Sequence, residues 1–275
     1  MAKHMTKNKD FIKNEEKQSK IEKEQRKREG HKGSIFILIF RIISLIIIAI
    51  CICKLVFWYI ENKKNNDILN DIISEQKTEE IVVGDEKIKV LRHNFDELLA
   101  KNGDTVGWLI VKGTKINYPI VHCKDNDFYL NHSFDKSYNS AGWIFANYIN
   151  KFDGTDKNIS IFGHNRRDGS MFCTLKDTIK KDWYTNPDNY IITFDTPSKL
   201  ETYKVFSNYQ IRSESYYLTN SFKDEQEYKT FLDTITSRSV YNYGIKPNVN
   251  DKIITLSTCA NDNTYRVVLH AVKVE

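Results

Sequence analysis

Residues 251–272 read DKIITLSTCANDNTYRVVLHAV. Two runs of β-branched and apolar residues, 251–259 and 264–272, flank the turn-rich link ANDN, which is the signature of strand, turn and strand. Six earlier runs have the same character: VGWLIV (106–111), KINYPIV (115–121), GWIFAN (142–147), NISIFG (158–163), NYIITF (189–194) and ETYKVFSNYQI (201–211). Eight strands without regularly alternating helices argue against a doubly wound sheet and for a closed or nearly closed β-barrel. Two helices are expected to interrupt the strands. One lies near Ser170–Lys180. The other spans Phe222–Thr236, where Phe222, Tyr228, Phe231, Leu232 and Ile235 share one apolar face. No internal repeat is present.

Upstream of Val106 the pattern is helical. Ile68, Leu69, Ile72 and Ile73 recur at helical spacing within the polar stretch 61–80, and Phe95, Leu98 and Leu99 suggest a short helix stopped by Asn102-Gly103. Before these lies IFILIFRIISLIIIAICICKLVFWYI (35–60), apolar or aromatic except at Arg41, Ser44 and Lys54. As a helix it is about 39 Å long, enough to cross a hydrocarbon core of about 30 Å. Its longest charge-free run, Ile42–Cys53, has only 12 residues. Arg41 and Lys54 stand toward opposite ends, however, and can reach opposite interfaces while burying their stems. Phe57, Trp58 and Tyr59 fit an interfacial aromatic belt. A buried core helix would carry a polar stripe. A cleaved signal peptide would have a short basic head and a small-residue cleavage site, neither of which is present.

The formal charge of +5 is local. Residues 1–34 hold 11 Lys/Arg and 6 Asp/Glu, and after Lys54 the balance is 28 basic against 30 acidic. A nucleic-acid surface on the main domain is therefore not indicated. The Lys/Arg excess predicts a cytoplasmic tail, with everything after about residue 61 outside. Four parts follow: a basic tail (1–34), read as disordered or a solvated helix; a transmembrane anchor (35–60), which is the contact with membrane lipid; an N-terminal helical lead (61–104); and a β-barrel (105–275).

Five cysteines are too few for a disulfide scaffold. Cys51 and Cys53 fall in the anchor and read as small apolar fillers. Cys123, Cys173 and Cys259 lie outside, so one disulfide still leaves a free thiol; pairing of Cys123 with Cys173 is left open. No GxxxxGK[ST], GxGxxG or HExxH string occurs, and no CxxC or HxxH spacing outside the anchor suggests a metal.

A lone thiol with a normal pKa of about 8.5 needs a neighbour to act as a nucleophile. Cys259 ends the run IITLSTC, where alternation places Thr255, Ser257 and Cys259 on one polar face suited to a groove. Arg266 heads the next strand, and strand–turn–strand geometry puts it at the same end as Cys259. His164 also sits at a strand end, after NISIFG. The other histidines fit less well. His4 and His31 lie in the tail, and His270 lies inside the last strand. His122 points away from its neighbour Cys123, and His93 and His132 have no thiol nearby in sequence. Cys259, His164 and Arg266 are the candidate catalytic set.

TLSTC (255–259) followed by an arginine on the next strand, with GHN (163–165) upstream, resembles the sortase family. GWLIVKGTKINYPIV, DNDFYL (125–130), GWIFAN, NISIFGHNRRDGSMF (158–172) and the helix inserted before the TLSTC strand follow the pattern of class B sortases over about residues 65–275. The resemblance implies a sortase-type eight-stranded barrel and a membrane-anchored cysteine transpeptidase. Cys259 would attack the carbonyl of a threonine in the C-terminal sorting signal of a secreted protein, forming a thioester. His164 would act as general acid and then base, and Arg266 would hold the substrate backbone and oxyanion. An amine of a peptidoglycan precursor or a pilin would resolve the thioester. Ser257 and Asn126 are candidate substrate contacts, and no cofactor or metal is required. Arg166 and Arg167 read as solvated loop charges. Two alternatives remain: an extracellular cysteine peptidase without transfer, and a non-catalytic anchored binding protein.

Overall fold

The computed structural model describes residues 2–73, 76–83, 86–259 and 264–274; for residues 2–16, 25, 28–35, 76–83, 86–91 and 259 the description is of the backbone. The link 260–263 read above lies outside the described residues. Contacts divide the chain into two units, residues 1–60 and 61–275. In the first unit, α1 (Ala2–Ile73) runs through the basic tail and the apolar stretch. The tail, expected as disordered or a solvated helix, is helical. Side chains of residues 36–60 are exposed except Ser44, whose Oγ donates to the Phe40 carbonyl at 2.9 Å. A sleeve of exposed Ile, Leu, Phe and Trp, interrupted by Arg41, Ser44 and Lys54, is unsuited to water, and the segment is long and apolar enough to cross a membrane.

The second unit begins with the last turns of α1, whose Ile72 is buried in the core. The helical lead expected over 61–104 holds a hairpin as well. α1 ends at Ile73, and β1 (Gln76–Val83) pairs antiparallel with β2 (Glu86–His93), Val83 opposite Glu86. Ile81, Val82, Val83, Ile88 and Val90 favour strands. The helical period of Ile68–Ile73 does not extend past this point. Two groups tie β2 to the barrel: Arg92 Nε donates to Asp195 Oδ1 at 2.6 Å, and the His93 backbone N–H donates to Asp195 Oδ2 at 3.0 Å. α2 (Phe95–Lys101) follows, with Phe95 and Leu98 buried.

Eight strands then close a barrel: β3 (Thr105–Val111), β4 (Asn117–Val121), β5 (Phe145–Ala146), β6 (Asn158–Phe162), β7 (Ile191–Asp195), β8 (Leu200–Arg212), β9 (Ile253–Cys259) and β10 (Tyr265–Lys273). The order around the barrel is β10-β8-β7-β3-β4-β5-β6-β9. β4–β5 and β6–β9 are parallel and the other pairs antiparallel. Leu109, Ile120, Ile161, Ile254, Leu256, Val267 and Leu269 fill the main core, each essentially inaccessible. Closure leaves the barrel no free edge for another chain to extend.

Alternate residues of β8, β9 and β10 face outward, and a helix covers them. α4 (Glu225–Ser237) starts where Asp224 accepts from the Glu227 backbone at 2.8 Å, while the Glu227 carboxylate accepts from the Lys223 backbone at 2.5 Å. Tyr228, Phe231, Leu232 and Ile235 pack on Phe206, Tyr209, Ile253 and Val268 in a second core, each contributing about 1.5–3 kcal/mol. Phe222 joins this cluster from just before the helix. The helix expected near Ser170–Lys180 is a 3-10 stretch, Cys173–Ile179, followed by one turn, α3 (Lys181–Tyr184).

Candidate active site

β9 lies between two strands that each bring a candidate residue to its end. On one side β6 runs parallel, with Phe162 opposite Ser257. The contact continues past the strand: Gly163 N donates to Ser257 O at 3.4 Å, and Thr258 Oγ1 donates to Gly163 O at 2.6 Å. Position 164 is two residues past Phe162 and position 259 two past Ser257, so both follow the last register pair at this end. On the other side β10 runs antiparallel, and Arg266 is the direct register partner of Cys259. Directly opposed residues lie about 4.5–5.5 Å apart. The backbone thus brings the three candidate positions to one end of the barrel.

His164 is held from two directions. Its carbonyl accepts from Phe172 N at 3.0 Å. The Phe172 ring lies so close to Gly163 that a Cβ there would stand 2.7 Å from Phe172 Cγ, so the residue before the histidine has to be small. The ring Nε2 contacts the Leu130 carbonyl at 2.8 Å. A carbonyl only accepts, so Nε2 carries the proton and Nδ1 is left for chemistry. Arg266 is half-buried, and its Nη1 donates to Tyr265 O at 3.2 Å.

A groove of about 300 Å3 opens at this end, lined by His164, Arg266 and Ser257 among others. Leu130, Phe145, Phe162 and Leu218 give it apolar walls, and Ser213, Glu214 and Tyr217 give it polar points. This mixture suits an extended peptide held by a few fixed hydrogen bonds. Asn126 lines the groove with its amide engaged at both ends: Nδ2 donates to Asn147 Oδ1 at 3.1 Å, and Oδ1 accepts from Tyr148 N at 3.0 Å. Ser257 is 3% exposed, its Oγ 3.0 Å from the Tyr217 hydroxyl.

The polar face of β9 is more covered than its alternation suggests, because α4 and the Tyr216–Leu218 turn lie over it. Thr255 is fully buried; its hydroxyl donates to Asn158 Oδ1 at 2.6 Å and accepts from His270 Nδ1 at 2.9 Å. His270 Nε2 in turn accepts from the Tyr209 hydroxyl at 2.8 Å. Burial, then the nearby Arg238 charge, push the His270 pKa down to about 3, so the ring is neutral. Asn158 Nδ2 donates onward to the Tyr217 and Thr219 carbonyls at 3.3 and 3.0 Å. The network therefore ties β9 and β10 to the turn that walls the groove.

The other described histidines serve elsewhere. His93 stacks on Trp108 at 4.0 Å, His122 packs edge-on against Phe152, and His132 stacks on Phe128 at 4.0 Å. Cys123 and Cys173 are free thiols; Cys123 Sγ donates to Asp125 O at 3.2 Å, and burial raises its pKa. Among the described residues no three His, Cys, Asp or Glu converge to hold a metal. Arg166, read above as a solvated charge, has a side chain only 12% exposed and bonds Asn62 and Asp168. Leu130 and Tyr217 escaped the sequence reading. Leu130 contributes a main-chain carbonyl, which no residue type marks, and Tyr217 is one tyrosine among 15.

The Sortase domain family matches residues 109–274. Sortase B of Listeria monocytogenes serovar 1/2a is 36% identical over 210 residues, covering 74% of this chain and 82% of that protein. The crystal structure of sortase B from B. anthracis in complex with AAEK1 superposes with a TM-score of 0.68 at 29% identity, covering 79% of this chain and 99% of that one. A crystal structure of sortase B complexed with triglycine gives a TM-score of 0.62 at 34% identity, covering 66% and 85%. The chain belongs to the sortase family of cysteine transpeptidases. Within that family it is a class B sortase.

Proposed function

We propose that this chain is a membrane-anchored transpeptidase in which Cys259 is the nucleophile, His164 the proton-transfer group and Arg266 the oxyanion and backbone clamp. The supporting observation is the register around β9, with Arg266 opposite Cys259 on one side and position 164 two residues past the last β6–β9 pair on the other. The thiolate adds to the carbonyl of a threonine in a sorting signal near the C-terminus of a secreted protein. Arg266 donates to the oxygen on which charge develops. The C–N bond then breaks, and His164 delivers a proton to the departing amine, leaving a thioester. Since Nε2 is committed to the Leu130 carbonyl, Nδ1 carries that proton.

The thioester is resolved by an amine of a peptidoglycan precursor or a pilin; His164 takes up its proton as the new amide forms. The triglycine complex of a related sortase B supports an amine of glycine type. Ser257 and Asn126 line the groove as substrate contacts, and the tyrosine hydroxyl on Ser257 and the amide bonds of Asn126 preset both side chains. Residues 35–60 hold the chain in the cell membrane, residues 1–34 are cytoplasmic, and the barrel is extracellular. The side-chain exposure of the apolar helix segment and the basic excess before it support this orientation.

The test is product partition. Full chain in detergent micelles is incubated with a pool of candidate sorting peptides, with and without triglycine. A transpeptidase makes peptide–triglycine amide that disappears in Cys259→Ala. Cleavage with no amide product would identify a hydrolase and overturn the transfer assignment. Protease added to sealed cells should remove the barrel and spare the tail; the reverse would invert the topology.

A further inference from the structure

The last turns of α1 reach the candidate histidine by two routes. The first leads to its ring. Asn65, 5% exposed, donates through Nδ2 to the Gly142 carbonyl at 3.3 Å. Its Oδ1 accepts from Asn139 Nδ2 at 2.9 Å and from the Ser133 hydroxyl, which fixes the amide's orientation. Glu61, also buried, anchors the same loop by accepting from Ser140 Oγ at 2.6 Å. Gly142 has φ 61°, and a Cβ there would stand 2.6 Å from the Tyr129 oxygen and 2.7 Å from the Leu130 oxygen. Its backbone is thus pressed against the carbonyl that accepts from His164 Nε2. Interiors packed this closely transmit displacement rather than absorb it.

The second route leads to the backbone. Arg166 follows His164 by two residues, and its Nη2 donates to Asn62 Oδ1, one turn of α1 before Asn65. Arg166 Nε also reaches Asp168 Oδ2 at 3.3 Å, holding the side chain along the loop. One helix segment therefore grips both the loop that carries His164 and the glycine pressed against the carbonyl that sets its tautomer. Stability alone does not require these bonds to converge on the two supports of one side chain.

We infer that α1 residues 61–73 are a positioning element for His164, with Asn65 acting through Gly142 and Leu130 on the ring, and Asn62 acting through Arg166 on the backbone. The inference rests on the reading of His164 as the proton-transfer group. It gives the segment just after the anchor a role in catalysis without contact with substrate. Loosening it lets the neutral imidazole sample the Nδ1–H tautomer, which is wrong for accepting the proton of an incoming amine.

The test uses full chain in detergent micelles with 15N-labelled histidine. Long-range 1H–15N spectra at pH 8 separate the two neutral tautomers, and loss of a resonance in His164→Gln assigns His164. Wild type should show a pure Nε2–H pattern. Asn65→Asp keeps both acceptor bonds and replaces only the donor to Gly142 O. It should shift His164 toward a tautomer mixture and lower transfer from the peptide pool to triglycine about tenfold. Asn62→Ala, at a half-buried position, should produce a smaller change of the same kind and covers the case in which Asn65→Asp does not fold. Lys229→Ala removes an exposed ion pair with Asp233 on α4, away from both routes, and should change neither readout. Wild-type tautomer and rate in folded Asn65→Asp and Asn62→Ala would overturn the inference. Full transfer activity in His164→Gln would instead overturn the reading of the site, and the tautomer data would still report on positioning.

Discussion

Lowering the pH from 7 to 5 should destabilise the barrel through His270, deep in the network beneath β9. The ring is fully buried as the neutral Nδ1–H form, donating to Thr255 and accepting from Tyr209. A second proton on Nε2 would confront the Tyr209 hydroxyl that now donates to it. The folded-state pKa is lowered from 6.5 to about 3, so the native state prefers the neutral ring. The contribution is whole above 6.5 and is lost as pH falls toward 3, because only the unfolded chain takes up the proton in that window. One pH unit corresponds to about 1.4 kcal/mol. At pH 5 the loss is about 2 kcal/mol, and any folded pKa below about 4 gives the same figure. The assay is urea unfolding of full chain in a nonionic detergent, followed by tryptophan fluorescence at pH 7 and pH 5, for wild type and His270→Gln. The variant is less stable at pH 7 but lacks the titrating group. Wild type should lose about 2 kcal/mol more than the variant between the two pH values. Equal losses would refute the assignment of a neutral, unprotonatable His270.

Three further outcomes follow from particular contacts. Gly163→Ala places a Cβ 2.7 Å from Phe172 Cγ; it should cost about 1–3 kcal/mol in urea unfolding and slow transfer by displacing His164. Tyr217→Phe removes the hydroxyl on the buried Ser257. It should cost about 1 kcal/mol and weaken peptide binding, read as a higher peptide concentration at half-maximal rate. Asp195→Ala strips the carboxylate from the buried Arg92 guanidinium and should cost about 3–5 kcal/mol, visible as a lower thermal midpoint with loss of the β2–barrel attachment.

The eight barrel strands were legible because each is a short run of β-branched and aromatic residues bounded by turn formers. The order in which they close was not. The parallel β6–β9 contact joins residues about ninety-five positions apart, and nothing local marks such a partnership. The strands 76–83 and 86–93 were passed over although Lys87-Ile88-Lys89-Val90 alternates, because the alternating run is short and the stretch before Ile81, QKTEE (76–80), is wholly polar. At the candidate site, the pairing of Cys259 with Arg266 was legible because only five residues separate their strands, and the place of His164 because it follows the end of β6. Thr255 was misjudged as groove-facing because alternation says which residues share a face and not what covers it; α4 covers it. The supports of His164 were illegible for a related reason. One is a main-chain oxygen at Leu130, and Arg166, two residues past the ring, is bonded by Asn62, about a hundred residues upstream on a helix whose polar face looks merely solvated.

The central claim is that Cys259 carries the acyl group between the two substrates. Intact mass spectrometry of the full chain in micelles, quenched in acid during turnover of the peptide pool without amine, measures this directly. The account predicts an added mass equal to the peptide up to its threonine, mapped by digestion to the fragment holding Cys259, absent in Cys259→Ala and discharged by triglycine. An adduct on Cys123 or Cys173, or one that persists in Cys259→Ala, would contradict it.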